Sequence, residues 1–356
     1  MNKRAVIAMS GGVDSSVAAY LMKKQGYECI GATMKLFDND EIGLRREHTC
    51  CSLEDVEDAR SVAYRLDIPY YVFNFSDCFR EQVIDRFVSA YERGCTPNPC
   101  IDCNRYLKFE KLYQRARELD CDYVVTGHYA RIEQDENSGK YLLKKSADEK
   151  KDQTYMLYTM TQEQLKHTMF PLGALTKPEV REIADENGFR NAKKADSQDI
   201  CFVQSGSYID FIRQYTGHDY PRGSFVDKDG SEIGRHKGII NYTVGQRKGL
   251  GISAAQPLYV CRIDTDKNTV TLGTQSELYT DTARLGSFKL ISGEELSGEI
   301  RCKARVRYHA EEQWAVVSPT EDGALIKFDE PQRAVTPGQA AVLYDGDTVL
   351  GGGVIL

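Results

Sequence analysis

Seven residues near the N-terminus, Ser10-Gly11-Gly12-Val13-Asp14-Ser15-Ser16, bring together what a phosphate chain needs. Glycines let backbone N–H groups converge, serine hydroxyls add donors, and Asp14 can hold Mg²⁺ against phosphate oxygens. The Gly-Lys-Ser/Thr ending of a Walker loop is absent, so an ATP site is expected but not γ-phosphoryl transfer. The plainer reading, a serine- and glycine-rich turn that caps a helix, is weakened by the strand before the loop and the helix after it. A second glycine run, Gly249-Leu-Gly251-Ile-Ser-Ala254, imitates a dinucleotide fingerprint. The polar Gly245-Gln-Arg-Lys248 stands before it in place of an apolar strand, and no dinucleotide site is expected there.

Two cysteines stand in settings unlike a buried core. Cys103 closes the segment Gly94-Cys-Thr-Pro-Asn-Pro-Cys-Ile-Asp-Cys, and Cys201 lies in Asp196-Ser-Gln-Asp-Ile-Cys-Phe202. Pro97 and Pro99 predict an extended segment with Cys103 at the start of the next helix. There the helix dipole and the nearby Arg105 and Lys108 favour a thiolate. A lone cysteine is more often a small buried hydrophobe, but the polar, proline-rich surroundings of Cys103 argue otherwise.

The elements that must carry these residues alternate over the first two hundred positions. Arg4 to Met9, Cys29 to Leu36, Pro69 to Phe75 and Asp122 to Thr126 read as strands. Asp14 to Lys24, Leu53 to Leu66, Cys78 to Tyr91 and Asn104 to Leu119 read as helices. That order predicts an α/β fold with a doubly wound, mostly parallel sheet whose ligands sit beyond the carboxyl ends of the strands. From about Thr282 short strands and tight turns predict a C-terminal antiparallel β-barrel. The expected organisation is a catalytic domain over 1–205, a small central domain over 206–280 and a barrel over 281–356.

Composition narrows the class. The chain has 356 residues, 41% hydrophobic and 28% charged, with a net charge of −7. No apolar run approaches the roughly 18 residues of a membrane span, which predicts a cytoplasmic chain with no membrane partner. Eleven cysteines in a chain of this size read as thiols, not disulfide staples. An acidic total also means that any nucleic-acid surface must be local. Arg301, Lys303, Arg305 and Arg307 alternate with Cys302, Ala304 and Val306, which puts four cations on one face of a strand. Lys144, Lys145, Lys150 and Lys151 add to such a patch, and affinity resting on phosphate contacts falls steeply with salt.

The motifs, taken together, resemble one family. Ser10 to Ser16, Thr96-Pro-Asn-Pro99 with Cys103-Asn104, Thr126-Gly-His-Tyr129, Lys151-Asp-Gln-Thr-Tyr155, Asp196-Ser-Gln198 with Ile200-Cys-Phe202, and Gly245-Gln-Arg-Lys-Gly-Leu-Gly251 match in order those of the tRNA-specific 2-thiouridylases (MnmA type). These belong to the PP-loop ATP pyrophosphatases. The resemblance implies an ATP-dependent sulfurtransferase that adenylates the 2-carbonyl oxygen of the wobble uridine. Cys201 would carry sulfur as a persulfide and Cys103 would be the partner nucleophile, the cycle ending in a Cys103–Cys201 disulfide.

The ATP site would comprise Ala8, Met9, Ser10, Gly11, Gly12, Val13, Asp14, Ser15, Ser16, Met34 and Gly127, with Asp14 on Mg²⁺. Asn98, Pro99, Cys100, His128, Lys151, Asp152, Gln153, Arg307, Tyr308 and Gln339 would meet the tRNA. The implied partners are tRNAs for lysine, glutamate and glutamine, and a cysteine desulfurase or sulfur-relay protein as donor. A monomer is expected. One departure stands out: position 100, often aspartate in the family, is Cys100. Cys100, Cys103 and Cys201, with Cys50-Cys51 nearby, could then bind an iron–sulfur cluster, or Zn²⁺ with a fourth ligand. Two other readings compete, an adenylating ligase acting on a small metabolite and a non-catalytic tRNA-binding module. Neither requires Cys103 and Cys201.

Overall fold

The computed structural model describes residues 3–37, 53–195, 200–203 and 207–356; Cys50-Cys51 and Asp196-Ser-Gln198 lie outside them. The strands in chain order begin with β1 (Arg4–Ala8), β2 (Glu28–Lys35), β3 (Tyr70–Asn74) and β4 (Tyr123–Val125). A hairpin, β5 (Arg131–Gln134) and β6 (Tyr141–Lys144), and the short β7 (Thr168–Met169) follow. Five of these form a parallel sheet in the order β3-β2-β1-β4-β7. The chain moves outward from β1 through β2 to β3, then returns to the other flank of β1 as β4. The point of reversal therefore lies between β1 and β4, where a doubly wound sheet opens its ligand crevice.

Both faces of this sheet are covered. Ala5, Ile7, Val17, Ala18 and Met22 share one cluster with Val62 and Val180. On the other face Val6, Ile30 and Val124 meet Phe79, Phe87, Leu107 and Phe202. β1 thus alternates its side chains between two apolar layers, as a central parallel strand must. Phe211 and Ile212, on the helix Tyr208–Thr216, also enter the second layer.

The middle of the chain holds β8 (Ser224–Val226), β9 (Glu232–Arg235), β10 (Tyr259–Asp264) and β11 (Thr269–Gly273), in sheet order β10-β11-β8-β9. Phe225, Tyr242, Val260, Val270 and Leu272 form its core. The last six strands are β12 (Tyr279–Leu290), β13 (Ile300–Arg305), β14 (Gln313–Thr320), β15 (Gly323–Arg333), β16 (Ala340–Asp345) and β17 (Thr348–Ile355). They run β12-β15-β14-β13-β16-β17, and β12 pairs again with β17 to close an antiparallel barrel. Cys302, Ala304 and Val306 point into it.

The hairpin β5–β6 belongs by sequence to the first domain, yet β6 pairs with β17 through Lys144 and Thr348 and extends the barrel sheet. Ile101, Phe109, Tyr155 and Leu157 pack with Val342, Tyr344 and Val349 in one cluster that spans the two domains. No described helix is long and apolar enough to cross a membrane.

Candidate active site

The loop after β1 turns at Gly11, whose φ of +76° lies in the left-handed region. A Cβ there would sit 2.4 Å from the Asp55 carbonyl oxygen, so both backbone and space require glycine. Gly12 has ordinary extended geometry and caps the helix Val13–Lys24. The hydroxyls of Ser15 and Ser16 both donate to the Gly12 carbonyl at 3.0 Å. Ser16 is wholly buried and Ser15 nearly so. These two hydroxyls thus fold the loop on itself. The exposed hydroxyl is that of Ser10, whose N–H donates to Ser15 Oγ at 3.2 Å. Ala8 and Met9 are buried beneath the loop; Met9 shapes it through its carbonyl, which accepts Thr33 Oγ1 at 2.6 Å.

The loop after β4 meets this one directly. A Cβ on Gly127 would lie 2.7 Å from the Asp14 carbonyl carbon and 2.8 Å from the Ser15 nitrogen. Tyr129 donates its hydroxyl to Asp14 Oδ1 at 2.8 Å. Gln153 holds Tyr129 in turn, accepting its N–H at 3.0 Å through Oε1. Two residues went unnoticed in the sequence. Lys177, first residue of the helix Lys177–Glu186, reaches both carboxylate oxygens of Asp14. Asn191, buried, donates Nδ2 to the Gly11 carbonyl at 2.8 Å and to Ser16 Oγ at 2.9 Å. The Lys177-Pro178-Glu179 helix start was a visible signal for the first; nothing local marks the second.

The cysteine segment differs from its expected shape. Asn98 caps a helix that begins at Pro99, its Oδ1 accepting the Cys100 N–H at 3.2 Å. Proline is welcome at a first helical position, where its missing N–H costs nothing. Cys100 thus occupies the first turn and Cys103 lies a turn further in, where the π-helical stretch Cys103–Lys111 begins. The dipole acts mainly within the first turn, so the helix start favours Cys100 more than Cys103. Cys103, Cys201 and Met34, all half-buried, pack against the same apolar cluster, which includes Phe79, Phe87 and Phe202. The two cysteines expected to act together are therefore on one side of the sheet. Among the described residues no group of three or more Cys, His, Asp or Glu is placed to hold a metal. Cys100, Cys103 and Cys201 do not form such a group, and Cys50-Cys51, the other cysteines expected near them, lie outside the described residues.

Three family models match the chain: a tRNA methyl transferase HUP domain over residues 3–205, a tRNA methyl transferase PRC-barrel domain over 209–274, and an aminomethyltransferase β-barrel domain over 280–355. The tRNA-specific 2-thiouridylase MnmA 2 of Caldanaerobacter subterraneus subsp. tengcongensis is 56% identical, over 99% of this chain and 98% of its own. The tRNA-specific 2-thiouridylases of Acetivibrio thermocellus, 53% identical over 99% of each chain, and Clostridioides difficile, 51% identical over 100% and 98%, are similar to it as well. The chain belongs to the tRNA-specific 2-thiouridylase family. The methyl-transferase wording of the domain models is not shared by the names of these relatives.

Within this thiouridylase, several residues expected to meet RNA are engaged by the protein. His128 is buried between Phe109 and Phe170. Its Nδ1 is 2.5 Å from Thr126 Oγ1, and Lys108 Nζ is 3.4 Å from Nε2. Burial, with the Lys108 ammonium beside it, holds the imidazole well below its usual pKa range. Asp152 is buried too, accepting the Ser146 N–H at 3.1 Å and the Thr154 hydroxyl at 2.6 Å. Its desolvation outweighs those hydrogen bonds and raises its pKa. Arg307 donates Nη2 to the carbonyls of Arg333 and Ala334 at 2.7 and 2.9 Å. Tyr308 donates to the Asp152 carbonyl at 3.2 Å, and Gln339 donates to the Thr96 carbonyl at 2.7 Å.

The expected basic patch is likewise threaded with acids. Arg301 forms a bidentate pair with Asp329. Arg305 and Lys145 share Glu312 at 3.0 and 2.6 Å, and Lys144 lies 2.9 Å from Glu133. Asn98, buried Pro99 and exposed Cys100 open the cysteine helix, and Asn98 Nδ2 lies 3.3 Å from Met156 Sδ, three residues beyond Gln153.

Proposed function

We infer that the chain is an ATP-dependent tRNA-uridine 2-sulfurtransferase, the activity named by its relatives, and that it works through two half-reactions. In the first, the Ser10–Ser16 loop holds ATP and the 2-carbonyl oxygen of the wobble uridine attacks the α-phosphorus. Pyrophosphate leaves and the oxygen becomes part of a phosphate ester. An amide-like carbonyl is a poor electrophile with a poor leaving oxygen; as adenylate it departs readily. Asp14, a carboxylate beside the phosphate loop, suits Mg²⁺, which is commonly bound by one or two carboxylates together with phosphates. When bound it would neutralise charge on the phosphates.

In the second half-reaction the terminal sulfur of a Cys201 persulfide attacks C2 and forms a C–S bond. The Cys103 thiolate then attacks the inner sulfur of Cys201. The S–S bond to the transferred sulfur breaks, AMP leaves, and a Cys103–Cys201 disulfide remains. A dithiol reductant must return both thiols before the next cycle. The observation that carries this reading is that both cysteines lie half-buried against the same apolar cluster, on one side of the sheet. Passing sulfur directly between two cysteines keeps it from escaping as sulfide. Asn98, Pro99 and Cys100 would meet the flipped uridine, as the family resemblance implies; flipping is cheaper in an anticodon loop than in a duplex.

The sulfur source is a cysteine desulfurase or a relay protein, and the substrates are lysine, glutamate and glutamine tRNAs. The enzyme acts as a cytoplasmic monomer. The test is incubation with ATP, Mg²⁺, a sulfur source and unmodified tRNA, scored by retardation on a mercury-containing gel. Wild type gives a retarded band, whereas Cys103→Ser and Cys201→Ser give none yet still release pyrophosphate. Full thiolation by either variant would overturn the assignment of roles.

A further inference from the structure

The extended residues before the cysteine helix are gripped by parts of the chain far away in sequence. Thr96 donates its N–H to the Pro337 carbonyl at 2.8 Å, and its own carbonyl accepts Gln339 Nε2 at 2.7 Å. Both polar backbone groups of one residue are thus satisfied by a single barrel loop. Between those two partners stands Gly338, at φ +89°, where a Cβ would lie 2.9 Å from both Cys95 Cβ and Thr96 N. The loop is itself tied down. Gly338 donates to the Ile355 carbonyl, Ile355 donates to the Gln339 carbonyl, each at 2.8 Å, and Arg307 holds the carbonyls at its start.

The central domain closes the grip from another side. Thr96 Oγ1 donates to Thr243 Oγ1 at 3.2 Å, and Gly94 packs against Ile263. Two residues beyond Thr96, Asn98 caps the helix that carries Cys100 and Cys103.

We propose that Gln339 is a positioning residue: with Pro337 it clamps Thr96 and so sets the direction in which the Pro99 helix presents Cys103 to the activated uridine. The reading rests on the thiouridylase function above. It gives Gln339 work inside the protein where family resemblance implied a contact with RNA. One of its two amide N–H donors is committed to the Thr96 carbonyl in the folded chain. Displacement of a nucleophile by a fraction of an ångström is enough to slow a reaction severely.

The experiment compares wild type with Gln339→Met, which keeps shape and removes the donor, and Gln339→Glu, which sets a carboxylate against the Thr96 carbonyl. Four quantities are measured: tRNA Kd, tRNA-dependent pyrophosphate release, single-turnover thiolation at saturating tRNA, and the iodoacetamide alkylation rate of Cys103 in free protein. For both variants Kd and pyrophosphate release should stay within about twofold while thiolation slows about tenfold and Cys103 alkylation changes about threefold. A Kd weakened about tenfold with wild-type thiolation at saturation would overturn the clamp in favour of an RNA contact. Unchanged values throughout would also overturn it. Should Gln339→Met fail to fold, by its thermal melt, Gln339→Glu alone decides. Should wild type not thiolate at all, the thiouridylase reading falls, and the alkylation rates still judge the clamp.

Discussion

The ammonium of Lys177 lies 2.7 and 2.8 Å from the two carboxylate oxygens of Asp14. Asp14 stands in the first turn after β1, whereas Lys177 opens a helix more than a hundred and sixty residues later. A Walker loop carries its own lysine; this loop has none and is served by one from outside. The Lys177 side chain is buried and crosses the ring of Tyr129, 5.9 Å from its centroid. If Asp14 takes Mg²⁺ as proposed, the ammonium it releases would lie beside the bound phosphates. Lys177→Met should lower the rate of tRNA-dependent pyrophosphate release by about 10²-fold, the usual cost of losing one preorganised charge-stabilising donor. A rate within twofold of wild type, measured by pyrophosphate release, would remove Lys177 from the ATP site.

Gly127 fits against Asp14 and Ser15 with no room for a methyl group. The contacts are backbone atoms, so the clash of Gly127→Ala cannot be relieved by a side-chain rotation and must displace the loop. The variant should raise KM for ATP by about tenfold with a smaller effect on tRNA affinity. Nucleotide titration and filter binding separate the two, and an unchanged KM would show that the loops are not in contact.

Asn191 ties the left-handed turn at Gly11 to Ser16. Asn191→Leu leaves the Gly11 carbonyl without that buried donor and should cost about 1–3 kcal/mol of stability. Urea unfolding measures the loss. Saturating ATP should restore part of it, because a ligand that binds the folded loop stabilises it by mass action.

His128 sets part of the acid limit of stability. Its folded pKa is depressed, by burial first and the Lys108 charge second. Below the unfolded value of about 6.5 the unfolded chain takes up a proton that the native state refuses. Its contribution is therefore complete above that pH and lost as pH falls, at up to about 1.4 kcal/mol per pH unit. Asp102 and Asp152, both raised by burial, work in the opposite direction, because protonation relieves their desolvation. The test is accordingly the difference between wild type and His128→Asn in urea unfolding from pH 7.5 to 5. A constant difference would mean that His128 takes up its proton in the native state as easily as when unfolded.

Four of the five strands of the first sheet were legible in the sequence because each is a short apolar run punctuated by turn residues; the two-residue β7 is too short to leave such a run. Once β1 and β4 flank the reversal, the encounter of Gly127 with Asp14 follows. The cysteines were marked by setting, but Pro99 was read as a barrier when it serves as a helix start. Contacts made between distant segments left no local trace. Lys177 on Asp14 and Gln339 on Thr96 depend on three-dimensional closure, which no periodicity encodes. Three of the four alternating cations, Arg301, Lys303 and Arg305, lie on β13 opposite Cys302 and Ala304 as expected, whereas Arg307 falls beyond the strand. The carboxylate partners Asp329 and Glu312 come from elsewhere and were not anticipated.

The hairpin β5–β6 ends at Lys144, and its bridge to Thr348 makes β17 its sheet neighbour beyond the hairpin itself. A chain cut near residue 280 would divide the molecule across that seam, with Tyr155 parted from the Ala340 carbonyl it reaches at 2.9 Å. Each fragment would carry an unmated edge and an apolar face shaped to the other. Produced together, the two fragments should recognise one another and reassemble, as halves of a torn page match along the tear.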